Sequence, residues 1–265
     1  MRRTAIFVAL AGSAIVASSA LADVVFTCQV IAQNADTGAL LGSQTWTFQV
    51  PPGSNPSTST VSAGWGSWQF GPGNSLPGAN ANPMMLDSSG DSVHGVGVAF
   101  NNDPEVQLNF NLASGVSNTT FTVNSSIVSF APIASAVGYA SAFVGVTDSL
   151  LIGTPGVISL TGLEPGNSVF AAQYNSSLTS FANLIPGSTQ SVSPGSSYAY
   201  TGNLGDVNNP VGVVGSVNQI SSQFMFTLSA GDRASGTSTF VIVPAPGAAG
   251  LLGLGGLLAS RRRRA

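Results

Sequence analysis

The chain has 265 residues, of which only 6% are charged and 43% are hydrophobic, and it carries 32 glycines and 15 prolines. All seven basic residues are arginine, and six lie near the two ends, so residues 23–242 hold Arg233 alone against ten acidic residues, a formal charge of −9. That balance excludes a basic face for phosphates, and with it nucleic acid as a partner. The composition also argues against disorder, which pairs low hydrophobicity with high net charge.

Residues 1–22 fit a secretory signal. Arg2 and Arg3 supply the positive start, residues 5–17 the apolar middle, and Ala20-Leu21-Ala22 the small-residue site for signal peptidase. The mature chain is then expected to begin at Asp23, and the apolar run is short for a retained span. Cys28 is the single cysteine, so no intramolecular disulfide can form. It follows Val25-Phe26-Thr27, which lacks the small residue of a lipidation site. It reads as a small core residue, with a reactive thiol as the alternative.

Residues 24–31 are rich in β-branched side chains, Asp36-Thr37-Gly38 offers a turn, and Trp46, Phe48 and Val50 alternate with polar neighbours over 44–50. Together they predict an opening hairpin. Residues 51–59 and 71–83 read as loops, and 64–70 as a strand weakened by its glycines. Further strands are predicted at 93–100, 106–112, 120–130, 141–146, 156–163, 168–174, 197–201, 218–228 and 236–243. The alanines of 131–145 make that stretch the most tolerant of helix. Successive strands without intervening helices argue for antiparallel pairing. The expectation is an all-β fold: a single antiparallel β-sandwich, jelly-roll-like, over residues 23–242.

The residue types of a Ser/His/Asp triad occur together in 87–94, as Asp87, Asp91 and His94 among serines. Triad members are assembled by a fold and seldom lie in one short stretch, so an acidic surface loop is the plainer reading. A secreted hydrolase is kept as a remote alternative. His94 is the only histidine, which limits zinc sites. Asp87, Asp91, Asp103 and Glu105 could ligate calcium, but their spacing matches no recognised loop. No enzyme activity and no cofactor are expected. Trp46 is in phase with Phe48 and reads as core. Trp65 and Trp68 read either as core or as a platform for sugars. Asn118, Asn124 and Asn175 open glycosylation sequons, which an Asn/Ser/Thr-rich chain produces by chance.

The C-terminal segment, 243–265, has three parts. Val243-Pro244-Ala245-Pro246 comes first, an apolar run over 248–259 follows, and Arg261, Arg262, Arg263 and Arg264 close it. The run is short for a stable span. The arginines should stay on the cytoplasmic side, which would hold the body outside. This arrangement resembles the PEP-CTERM protein-sorting domain of bacterial exported proteins over residues 243–264. Pro244 and Pro246 match the family's Val-Pro-Glu-Pro motif, and Ala245 stands where glutamate is usual. Residues 226–240 are similar to the final strands of other bodies carrying such a tail. The resemblance implies processing by an exosortase, a membrane cysteine transpeptidase, in a bacterium that makes exopolysaccharide. It implies membrane anchoring through the tail before processing and a surface or extracellular location after it. The reading is therefore an exported surface or matrix protein. A carbohydrate-binding or adhesive module for exopolysaccharide, using Trp65 and Trp68, is the alternative.

Overall fold

Strict alternation becomes strand wherever one face can be buried. Along Glu105–Ala113, Val106, Leu108, Phe110 and Leu112 are buried while Gln107 and Asn111 are exposed. The structure, a computed structural model, describes residues 24–50, 64–70, 84–101, 104–125, 127–150, 152–175 and 179–245; for 24–26, 46–50, 64–70, 84, 95 and 97–101 the description covers the backbone.

The described residues are all-β, with no helix among them. The strands are β1 (Val24–Asn34), β2 (Leu40–Val50), β3 (Gly64–Phe70), β4 (Met84–Met85), β5 (Ser92–Asn101), β6 (Glu105–Ala113), β7 (Thr119–Ser125), β8 (Val128–Ile133) and β9 (Ala136–Thr147). There follow β10 (Val157–Gly162), β11 (Ser168–Tyr174), β12 (Ser180–Pro186), β13 (Ser188–Ser191), β14 (Ser197–Leu204), β15 (Val211–Gly212), β16 (Val217–Leu228) and β17 (Arg233–Pro244). They form two antiparallel sheets. The first runs β12-β11-β16-β7-β1-β2, with β10 and β8 also on β16 and β13 on β10. The second runs β14-β9-β17-β6-β5-β3, with β15 on β9 and β4 on β5.

The opening hairpin forms as the alternation predicts, with Cys28 opposite Trp46. Its turn is held by Asn34, whose side-chain oxygen accepts the amides of Asp36 and Thr37, while Gly38 takes the left-handed φ of 68°.

One core joins the two sheets. Phe121, Phe170, Phe224 and Phe226 enter it from the first sheet, and Phe110 and Phe240 from the second. Phe181 stacks on Phe240 at 5.2 Å between ring centroids, which ties β12 to β17. Gly236 makes room for Phe110, since a Cβ there would lie 2.5 Å from two of its ring carbons. Cys28 is 0% exposed, and burial pushes its thiol up to about 12. It is therefore the small core residue of the first reading, not a reactive thiol.

Four departures from the sequence reading have local causes. Residues 120–130 form two strands, not one. β7 leaves β16 after the Asn124–Gln223 pair, and β8 rejoins it at Val128 opposite Ile220. The alanine-rich 131–145 is not helix; β9 begins already at Ala136 because β17 pairs with it along its whole length. β13 carries too few apolar residues to be seen as a strand, and β12, though it holds Phe181, Ala182, Leu184 and Ile185, breaks the alternation at Ile185, which takes a left-handed φ of 64°; each finds a partner edge in β10 or β11. The last strand, expected over 236–243, runs from Arg233 to Pro244. Val243 and Pro244 pair with Val137 and Ala136, and the Ala245 amide donates to the Ser135 carbonyl at 2.9 Å.

Candidate functional site

The acidic loop between β4 and β5 is built around Asp91, which is 0% exposed. Its carboxylate accepts the Thr119 hydroxyl at 2.6 Å, the Gly115 amide at 3.1 Å and the Ser89 hydroxyl at 2.8 Å. Asp87 accepts the amides of Ser89 and Asp91, both at 3.0 Å. Partial burial pulls the Asp87 carboxyl up, but the hydrogen bonds from Ser89 and Asp91 outweigh it and hold it below its usual value. Both carboxylates are thus occupied in closing the loop and fastening it to residues 115–119. His94 lies on β5 with Nε2 3.4 Å from the Ser92 hydroxyl. Burial and the positive charge of Arg233 hold its imidazole below the usual value. Among the described residues His94 hydrogen-bonds to Ser92 and to neither Asp87 nor Asp91, so the three do not form the chain of contacts a triad needs.

Of the proposed calcium ligands, Asp103 lies outside the described residues, and Glu105 sits on β6 beside Gln107. Among the described residues no group of three or more His, Cys, Asp or Glu side chains could hold a metal ion.

Other buried acids also serve loops. Asp148 accepts the amides of Gly156 and Gly195 at 2.9 and 2.8 Å, joining two loops at one end of the body. Asp232 accepts the Ser149 amide at 3.0 Å and the Ser229 hydroxyl. Burial pushes its carboxyl up and nearby Asp148 adds to this, against the hydrogen bonds. Glu164, in the β10–β11 turn, is different. Its Oε1 is buried without a partner among the described residues, and burial raises its carboxyl to about 7.

Trp65 and Trp68 lie on β3, an outer strand of the second sheet, where Trp68 stands opposite Val98; their side chains are outside the described set. Residues 1–23, Pro246 and 247–265, where the signal and most of the sorting tail were expected, lie outside it too. Among the described residues no helix is long and apolar enough to cross a membrane. Asn118 and Asn175 are exposed but brace turns, accepting the amides of Ala230 and Asn218.

Sequence reasoning missed the outward faces of both sheets. On the second sheet one cross-strand row reads Thr201–Phe143–Thr237–Asn109. Phe143 is 40% exposed there, beside a groove of about 290 Å³. On the first sheet Gln29, Asn124 and Gln223 form a row across β1, β7 and β16, and Ser221 pairs with Gln173 of β11. These residues line a larger groove of about 430 Å³. The signal available in sequence was the polar half of each alternating strand, but the order of strands across the sheet was needed to join them.

No family model matches the chain, and no curated protein matches it. Among solved structures it aligns with a chain from "Structure of infectious bursal disease virus Gt strain" at 13% identity, covering 90% of this chain and 67% of that one. The TM-score is 0.13, too low to carry any argument about fold or function.

Proposed function

We propose that this is an exported bacterial surface or matrix protein without enzymatic activity, delivered through its N-terminal signal and sorted through its C-terminal tail by an exosortase-type enzyme. Its body is read as a jelly-roll-like β-sandwich. The observation that carries the proposal is the partition of charge. Six of seven arginines flank the apolar runs at the two ends, and the body between them keeps only Arg233. Positive charge is thus placed where targeting uses it. Commitment of Asp87 and Asp91 to loop closure supports a body that does no acid–base chemistry.

The test is expression in the native host with and without residues 243–265. The full chain is expected to lose mass at both ends and to reach the cell surface. The truncated chain should lose only the signal and appear in the medium. Identical location and C-terminal sequence for the two would overturn the sorting assignment.

A second reading, a carbohydrate-binding or adhesive body, is favoured by the amide- and hydroxyl-rich outward faces of the two sheets. Retention on neutral glycans by the purified protein tests it, with Trp65→Ala and Trp68→Ala measured alongside.

A further inference from the structure

We propose that the groove across β1, β7, β16 and β11 binds one or two sugar units of a neutral polysaccharide. The inference rests on the carbohydrate-binding reading above and assigns it to a place that the tryptophans do not occupy.

The groove exists because a ladder is interrupted. β7 pairs with β16 as far as Asn124–Gln223, and β8 takes up the pairing at Val128–Ile220. Ser221 and Ser222 fall in the gap. The Ser222 amide donates to the Ser125 side-chain oxygen at 2.9 Å, so a side chain stands in for a backbone partner. A volume of about 430 Å³ opens over this break. It lies within the roughly 300–1,000 Å³ of small-molecule sites.

The chemistry of the walls selects the ligand. Gln29, Asn124, Gln173, Ser221 and Gln223 present amides and hydroxyls, and Ile127, 50% exposed, adds an apolar edge. No lining residue is charged. A phosphate or carboxylate ligand would find no cation there, and a metal ion would find no carboxylate. Planar amides offer one donor and one acceptor side by side, which matches adjacent hydroxyls on a pyranose ring. The Ile127 side chain suits the C–H face of the same ring.

One atom points to a ligand independently of the cavity. The Oδ1 of Asn124 is buried without a hydrogen-bond partner among the described residues. Leaving such an atom unpaired costs about 1–3 kcal/mol. A sugar hydroxyl can donate to this amide oxygen. Gln173, 7% exposed, already holds the Ser221 hydroxyl at 3.3 Å and fixes the far wall. β7 is paired on both sides, by β1 and by β16, so Asn124 is set before any ligand arrives.

Affinity electrophoresis of the full exported protein tests this, in gels containing dextran, mixed-linkage β-glucan, galactomannan or polygalacturonate. At least one of the three neutral polymers should retard it, and polygalacturonate should not. Asn124→Ala with Gln223→Ala should weaken retardation by about tenfold or more, a loss of two or three hydrogen bonds. Gln223→Glu, a change at a half-buried surface position, should weaken it too if the double variant fails to fold. Trp65→Ala, Trp68→Ala and Phe143→Ala should leave it intact. No retardation by any neutral polymer overturns both the groove and the carbohydrate reading. Retardation that survives Gln223→Glu and the double variant but is lost with Trp65, Trp68 or Phe143 overturns the groove alone. Retardation by polygalacturonate only overturns the neutral ligand class.

Discussion

Phe110 of β6 and Phe224 of β16 meet edge to face between the two sheets, with ring centroids 4.9 Å apart and ring planes at 74°. Phe110 also stacks on Phe226 at 5.6 Å, and Phe224 touches Phe170 at 4.9 Å. These rings carry the contact that makes two sheets into one body. Phe224→Ala is expected to cost about 3–5 kcal/mol, the usual loss for a buried phenylalanine. Phe110→Ala should cost a similar amount. A double-mutant cycle by urea unfolding should give a coupling of about 0.5–1.5 kcal/mol for the aromatic pair. Additive losses would show that the two rings do not interact in solution.

Asp91 makes a different kind of prediction, because it is a buried acid with a full set of donors. In Asp91→Ala the Gly115 amide loses its acceptor and the Thr119 hydroxyl keeps only the longer contact to the Ser117 carbonyl, at 3.2 Å. A buried orphan costs about 1–3 kcal/mol, so the thermal midpoint should fall clearly. His94→Ala, with its one long contact to Ser92, should shift it far less. Equal effects of the two would show that the loop does not depend on Asp91 more than on His94.

Glu164 should make stability depend on pH. Its carboxyl is raised in the folded state from 4.5 to about 7. The folded chain therefore holds a proton that the unfolded chain has already released. Stability from this group is complete below pH 4.5, falls as pH rises towards 7 and levels off above it. Glu164→Gln cannot titrate. The difference in unfolding free energy, variant minus parent, should grow in favour of the variant across that interval. A constant difference from pH 4 to 8 would show that the carboxyl is not shielded as the structure has it.

The end of β17 sets where the body can be cut. Val243, Pro244 and Ala245 are held along β9 and by Ser135. A mature chain ending at Ala245 should keep the thermal midpoint of one carrying the whole tail. A chain ending at Ile242 loses these contacts and should melt lower, by roughly 2–4 °C for each kcal/mol removed. Cleavage within Val243-Pro244-Ala245 would thus take a piece of the fold with the tail, while cleavage beyond Pro246 would not.

Much of the fold could be read from the chain, and particular strands show why. β6 was visible because Val106, Leu108, Phe110 and Leu112 bury one face while polar residues fill the other. β16 was visible for the same reason, and β11, buried on both faces, as a short apolar run. β13, Ser188–Ser191, was not, since its four residues have no buried face and it exists only because β10 offers an edge. The change from β7 to β8 was hidden too, because apolar residues resume at Ile127 and Val128 after only a short polar stretch. Candidate chemistry fared in the same way. The acidic and aromatic residues stood out in sequence, yet Asp87 and Asp91 proved to be loop fasteners.

By itself the sequence determined the class of the body, the burial of Cys28 and the separation of charge between the ends and the middle. These depend on residue type and on a period of two, which are local. Only the tertiary structure decided that Gln29, Asn124, Gln223 and Gln173 face one groove. They come from four strands separated by up to 194 positions in sequence, between Gln29 and Gln223. Their meeting depends on the order β1-β7-β16-β11, and that order is set by how the two sheets share a core, which no stretch of neighbouring residues encodes.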